Sequence, residues 1–203
     1  GNYWRVMNFV ADTHSVDVVE TPEQAYEAAR AYAYFQRHLA TMPTKGFIET
    51  IPEFHNLTHR LQQFDDALLN DAHSRAQSCP QEIALVEHYR HLTEKLTELL
   101  ESGRIPIRIT HNDTKINNVL FSNTTGKGIA VVDLDTLMPG TVLYDFGDMM
   151  RTFLSPAAED EQDLTKVIFR RKIFKAMHKG YTEELSEILS TGEKEYLTFG
   201  GKV

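Results

Sequence analysis

Between residues 21 and 100 the apolar side chains recur every three or four positions, and from Ile105 onward that period drops to two. A chain patterned this way builds a helical body and attaches a small sheet to it. Thr21-Pro22-Glu23-Gln24 supplies a hydroxyl N-cap, a proline at the first helical position and a glutamine at the capping-box position, ahead of Ala25, Ala28, Ala29, Tyr32, Phe35 and Leu39 at helical spacing. Met42 to Glu53, holding Pro43, Gly46 and Pro52, reads as a loop. Phe54, Leu57, Leu61, Phe64 and Leu68 mark a second helix ending near Ala76. Pro80 opens a third, with Ile83, Val86, Tyr89, Leu92, Leu96 and Leu99 inward until Gly103 and Pro106 stop it. Ile107 with Ile109, Val119-Leu120-Phe121 and Ile129 to Val132 then read as short strands. The last two are joined across turn-rich residues 122–128 as a hairpin that ends in Asp133-Leu134-Asp135. Beyond Asp148 the pattern predicts helix again, over 164–179 and 183–189. At the other end, Tyr3 to Val10 is an aromatic and β-branched run that reads as a strand, and Val16 to Val19 as a second short one. The predicted fold class is α+β, mainly helical, with a small β-hairpin insert. Tyr32, Phe35, Phe54 and Phe64 lie on helical stripes and are expected in the core.

Composition narrows the function classes. The 203 residues carry 21 Lys+Arg against 29 Asp+Glu, a net charge of −8, so the global field repels polyphosphate backbones and anionic lipid. No nucleic-acid or membrane partner is expected. Cys79 is the single cysteine and cannot form an internal disulfide, and the sequence shows neither an 18-residue apolar run nor a signal-peptide pattern. These features predict a soluble protein in a reducing, cytoplasmic setting. The chain opens with Gly1 and runs directly into a strand, which is not stable alone; a fragment of a larger sheet-bearing protein is the expectation.

The densest chemistry lies in His111-Asn112-Asp113-Thr114-Lys115-Ile116-Asn117-Asn118, followed fifteen residues later by Asp133. Asp113, Asn118 and Asp133 are hard oxygen donors in or beside two short strands able to pair as a hairpin, which brings their ends together. Magnesium takes oxygen ligands and usually only one or two protein carboxylates, leaving its other positions to water and phosphate. Asn118 and Asp133 fit that need, Asp113 is then free to take a proton from an incoming hydroxyl, and Lys115 can reach a transferring phosphoryl group. Asp135, two residues from Asp133, reads either as a further metal or substrate contact or as a turn former before Met138-Pro139-Gly140. His55, His59 and His73 are too irregularly spaced to suggest zinc.

His111-x-Asp113-x-Lys115-x-x-Asn118 resembles the catalytic loop of the protein-kinase-like superfamily, and Val131-Val132-Asp133 resembles the metal segment of its aminoglycoside and choline kinase branch. Gly140 and Tyr144-Asp145-Phe146-Gly147-Asp148 extend the likeness. The run from Ile109 to Arg151 is most similar to the N-acetylhexosamine 1-kinases, some relatives of which have carried the label mucin desulfatase. The resemblance implies that residues 1–15 are the last N-lobe strand and hinge and 16–203 a helical C-lobe, with the catalytic loop at 111–118 and the metal segment at 131–136. It assigns Asp113 as catalytic base, Asn118 and Asp133 as Mg2+ ligands, and Lys115 to the γ-phosphate of ATP. His111 and Asp145 become structural braces of the loop, and Asn8 to Val10 offer backbone groups to adenine. The implied partner is a small molecule, an N-acetylhexosamine, with aminoglycosides, choline and homoserine as alternative acceptors. No Gly-x-Gly-x-x-Gly loop is present, and the resembled family continues past Val203, so the chain looks cut at both ends and is expected to be inactive alone. Two rival readings exist. Val131-Val132-Asp133-Leu134-Asp135 mimics the signature of haloacid-dehalogenase-like phosphatases, which requires Asp133 at the head of a parallel sheet; a non-catalytic pseudokinase is the other.

Overall fold

The computed structural model describes residues 4–158 and 160–203. In chain order the elements are β1 (Thr13–His14), α1 (Pro22–Leu39), α2 (Leu57–Asn70), α3 (Pro80–Tyr89), α4 (His91–Glu101), β2 (Arg108–Thr110), β3 (Val119–Ser122), β4 (Gly128–Val131), β5 (Met138–Gly140), α5 (Val142–Phe153), α6 (Arg171–Glu184) and α7 (Thr191–Tyr196), with short 3-10 turns between them. The architecture is α+β and mainly helical. No described helix is long and apolar enough to cross a membrane.

α1 begins as its sequence dictates. The Thr21 hydroxyl accepts from the Gln24 N–H at 3.2 Å, and the Gln24 side chain accepts from the Thr21 N–H at 3.2 Å. Its buried face is small, with Ala25, Ala28, Ala29 and Ala33 all at 0% exposure, so α6 approaches closely. At the crossing, a Cβ on Gly180 would run into the Tyr26 carbonyl. The core continues through Leu96 and Leu99 of α4, then Val142, Phe146, Met149 and Phe153 of α5, which leave Tyr32 of α1 buried between helix and sheet.

Two small antiparallel sheets complete the molecule. One has the order β1-β3-β4, with Val119 opposite Val131; the other pairs β2 with β5, Ile109 opposite Pro139. Asp133 therefore follows the second strand of a hairpin. Every described pairing is antiparallel, which removes the geometry that the phosphatase reading requires.

Several expectations are corrected. Of the strand expected over residues 3–10, Tyr3 lies outside the described residues; residues 4–10 form no strand, and Trp4, Val6, Met7 and Phe9 are exposed. A strand needs a ladder partner, and no described strand pairs with this run. Likewise Thr13–His14, not Val16 to Val19, pairs with β3; Val19 is instead buried in the core. The second helix starts after Phe54 and stops before the expected end near Ala76, because Asn56 caps it and Asp71 at φ 26° ends it. The third is two helices, since at Arg90 and Thr93 the backbone tightens to bonds three residues back. α5 begins at Val142, well before Asp148. Residues 167–170 interrupt the helix predicted from 164, where the Arg170 guanidinium donates to the Val19, Phe153 and Leu154 carbonyls. Residues 185–189 are a turn, not helix. Among the predicted core aromatics Tyr32 is buried, whereas Phe35, Phe54 and Phe64 are half-buried.

Candidate active site

The site is a loop between two sheets. β2 ends at Thr110, and the chain turns through Asn112 at φ 64°, a left-handed conformation that asparagine tolerates better than most residues. The Asn112 side-chain amide donates to the Thr110 carbonyl (3.0 Å), the Thr136 carbonyl (3.0 Å) and the Met138 carbonyl (3.3 Å), while its oxygen accepts from the Thr110 hydroxyl at 3.0 Å. Gly140 has no side chain because a Cβ there would strike the Thr110 hydroxyl and the Asn112 side-chain oxygen. The turn is clamped to both strands of the β2-β5 sheet.

α5 holds the loop from below. Asp145 Oδ2 accepts from the His111 N–H at 3.1 Å and Oδ1 from the Asn112 N–H at 2.7 Å. The Thr114 hydroxyl donates to the Asp145 carbonyl at 2.6 Å, and the Thr114 N–H to Asp148 Oδ2 at 2.6 Å. Asp145 and Asp148 lie three residues apart on one helix face, so both carboxylates point at the same stretch of backbone. Burial pushes the Asp145 carboxyl up to about 6, outweighing the two N–H donors. Arg151 on the same helix bonds Asp148 Oδ1 at 2.7 Å.

α1 and the hairpin close the other sides. The Tyr32 hydroxyl donates to the Lys115 carbonyl at 2.6 Å, and its ring meets the His111 ring edge-on at 5.4 Å. Burial raises the Tyr32 hydroxyl far above its ordinary value, helped by Asp145, Asp148, Asp113 and Asp133 around it. His111 is fully buried; Nε2–H to the Val132 carbonyl (3.0 Å) and Nδ1 accepting from the Asp113 N–H (3.3 Å) are satisfied together by one neutral tautomer.

The side chains singled out by the sequence sit on this frame. The Asn118 amide donates to the Asp113 carbonyl at 3.0 Å and to Asp113 Oδ2 at 3.3 Å, and Lys115 Nζ lies 3.5 Å from Asp113 Oδ1. The Val132 N–H donates to the Asn118 carbonyl at 2.9 Å, which sets Asp133 beside Asn118 at the hairpin end. Asp133 takes φ 60°, ψ 63°, breaking the strand so that the chain leaves the ladder there. Asp113, Lys115 and Asn118 are thus brought together, with His111 and Asp145 behind them, and the backbone places Asp133 next to Asn118 at the hairpin end. Asp135, like Asp133, is exposed, and its carboxylate is ion-paired with Arg5. Asn8 is exposed, the Val10 carbonyl accepts from the Thr13 hydroxyl at 2.8 Å, and no described hydrogen bond joins either residue to loop 111–118.

The donor set suits a hard divalent cation held by few protein ligands. Among the described residues no three His, Cys, Asp or Glu side chains cluster as a metal cage. One amide oxygen from Asn118 and one carboxylate from Asp133 are the donor types that would suit an open divalent-cation site shared with phosphate oxygens.

Three features escape sequence reasoning. Asp148 anchors Thr114, the Tyr32 hydroxyl anchors Lys115, and the Thr110–Asn112–Thr136 set locks the turn. For Asp148 the signal was its three-residue spacing from Asp145. For Tyr32 it was a phenol on a buried stripe made mostly of alanine, where the hydroxyl needs a partner.

Residues 1–177 match the model of the phosphotransferase enzyme family (APH), and the chain belongs to that family. Among solved structures it is similar to a crystal structure of an aminoglycoside-3'-phosphotransferase of type VIII, at 15% sequence identity and a TM-score of 0.43, over 93% of this chain. The chain spans 64% of the length of that protein.

Proposed function

We propose that the protein transfers the γ-phosphoryl group of ATP to a hydroxyl of a small-molecule acceptor, with the anomeric hydroxyl of an N-acetylhexosamine as the substrate. The observation that supports this most is the Asp113 carboxylate, oriented by the Asn118 amide and faced by the Lys115 ammonium on a loop whose backbone is tied at four consecutive residues. In this reading residues 16–203 form the lower lobe and residues 1–15 an extended hinge segment above it, with Asn8 to Val10 facing adenine.

Asp113 accepts the proton as the acceptor oxygen bonds to phosphorus and the bond to the β-phosphate oxygen breaks, giving a sugar 1-phosphate and ADP. Lys115 faces the transferring group and offsets its charge. Asn118 and Asp133 are the residues that would hold a divalent cation such as Mg2+, which when bound would supply positive charge against the phosphates. The frame of Asp145, Asp148 and Tyr32 keeps the base in place, so little reorganisation accompanies reaction.

The test is ADP release by the full-length gene product with Mg-ATP and a panel of N-acetylhexosamines, aminoglycosides, choline and homoserine. Asp113→Asn is expected to cut kcat by about 10³ with ATP affinity nearly unchanged, since general-base loss costs roughly 10²–10⁴. Asp133→Asn is expected to weaken Mg-ATP binding. Equal effects of both variants on ATP binding would overturn these roles, and phosphoester hydrolysis without transfer would overturn the activity.

A further inference from the structure

The net charge of −8 is unevenly spread. Residues 164–179 hold six of the 21 lysines and arginines (Lys166, Arg170, Arg171, Lys172, Lys175 and Lys179) and none of the 29 acids. A sum over the whole chain, which argues against anionic partners, does not describe such a patch, because exposed charges are screened beyond about 10 Å at ordinary salt.

α6 sorts these charges onto one side. Ile173, Met177, Gly180 and Tyr181 are its buried face, and Arg171, Lys172, Lys175 and Lys179 stand exposed on the opposite one at helical spacing. Lys179 is paired with Glu183 at 3.7 Å. The side chains of Arg171, Lys172 and Lys175 have no ion pair or hydrogen bond among the described residues. Arg170 does not share this face, since its guanidinium is taken by the Val19, Phe153 and Leu154 carbonyls, and Lys166 is paired with Glu161 at 3.0 Å. Arg171 and Lys172 also occupy the first turn of α6, which has no acid and where the helix dipole opposes positive charge. Local stability does not account for these cations.

An apolar run adjoins them. Leu164, Val167, Ile168 and Phe169 are 75%, 52%, 49% and 62% exposed. The Phe169 ring meets that of Phe174 at 5.7 Å, and Phe174 lies three residues from Arg171 and next to Lys175, which sets the run beside the cationic face. Leu164 and Val167 border the cavity next to Lys115, whereas Ile168 and Phe169 line neither that cavity nor the grooves on α1 and on α2 and α3. Of the described acids just before the run, Glu161 is held by Lys166, Asp163 accepts from the Thr165 hydroxyl at 2.6 Å, and Asp160 is exposed.

Exposed apolar side chains beside unpaired cations select the partner. An acidic protein segment needs a groove or a strand edge, and Ile168 and Phe169 offer neither. A polynucleotide would answer the cations and leave Leu164, Val167 and Ile168 in water. A bilayer containing anionic lipid answers both, receiving the apolar side chains at the headgroup boundary with no matching shape required.

We propose that residues 164–175 are a peripheral membrane-docking surface, in which Ile168 and Phe169 enter the interface of an anionic bilayer and Arg171, Lys172 and Lys175 meet its headgroups. The contact is peripheral, since no described helix is long and apolar enough to cross, and it is independent of the phosphotransfer reading.

Co-sedimentation of the full-length gene product with vesicles of phosphatidylcholine, alone or with about 30 mol% phosphatidylserine, tests it. At about 0.1 M salt the anionic vesicles are expected to bind at least about 10-fold more tightly than the neutral ones, with the difference shrinking as salt rises. Each cation near such a surface contributes about fivefold, so the triple variant Arg171→Gln, Lys172→Gln, Lys175→Gln is expected to weaken binding roughly 10²-fold. Ile168→Ser with Phe169→Ser is expected to weaken it about 10-fold through lost apolar burial. No binding to the anionic vesicles, equal binding to the neutral ones, or unchanged affinity in either folded variant overturns the proposal. Should the serine pair fail to fold, the glutamine triple, confined to the exposed face of α6, decides alone. Binding of soluble polyglutamate without vesicle binding would assign the surface to an acidic protein and overturn the membrane contact.

Discussion

Loop 110–118 and the helices α2 and α3 make opposite use of the backbone. The helices are regular, yet neither contains a buried residue, and Leu69 and Leu85 stand 85% and 57% exposed. The loop has only a single 3-10 turn at Ile116–Asn118, yet Thr110, His111 and Thr114 are 0% exposed. A helix satisfies its own N–H and C=O groups from neighbours three or four residues away and can sit at the surface unaided. A loop withdrawn from water must import partners, and this one takes them from Asp145, Asp148, Tyr32 and Val132, between 21 and 83 residues away in sequence. Regular structure and rigidity are separable, and the site is built where the second is imposed without the first.

Removing an imported partner should therefore do more damage than any change in the outer helices. Asp145→Ala strands two buried N–H groups and is expected to cost roughly 3–5 kcal/mol, a fall in Tm of about 10 °C or more. A loss under about 1 kcal/mol in thermal denaturation would break the comparison. Tyr32→Phe is the milder version, because the Lys115 carbonyl still accepts from the Asn118 N–H at 3.1 Å. It is expected to cost about 1 kcal/mol, with faster amide exchange confined to residues 113–118.

The same carboxylate gives a pH signature. Its folded value, about 6, lies above the ordinary 3.8, so the folded state binds more protons between about pH 4 and pH 6. The contribution of this group to stability is then greatest below that window and falls as pH rises through it. Subtracting the Tm profile of Asp145→Asn from that of the parent chain should leave a downward slope from pH 4 to 6; a flat or rising difference refutes the shift.

The contrast also explains what could be read from the sequence. α1 was legible to the residue because its cap, proline and apolar stripe are all local, and the β3-β4 hairpin likewise follows from a turn between two apolar runs. The end of α2 and the kink at Arg90 were not, since Arg90 is drawn to Asp65 of α2, at 2.6 Å, as well as to Glu87, a tertiary pull with no periodic trace. α7 escaped for a related reason: its capping-box Glu193 is buried in a pair with Arg108 of β2, 85 residues away. At the site, residue types and spacing marked Asp113, Asn118 and Asp133, and the resemblance marked His111 and Asp145 as braces, whereas Tyr32 and Thr136, which also hold the loop, lie on other elements and carry no motif.

The smallest expected effect is the most direct check on the outer helices. Leu85→Ser on α3 removes an apolar side chain that is more than half exposed, at a position where no described neighbour encloses it. Serine has lower helix propensity than leucine by a few tenths of a kcal/mol, and little apolar area leaves contact. The change is expected to stay within about 0.5 kcal/mol, with Tm moved by no more than roughly 2 °C and residues 110–118 exchanging as before. A loss near that of Tyr32→Phe would mean that the α2-α3 surface, with Phe64, Leu85 and Tyr89 around a shallow apolar groove, carries stability that its exposure conceals. The loop would then share its rigidity with the part of the molecule it is contrasted with.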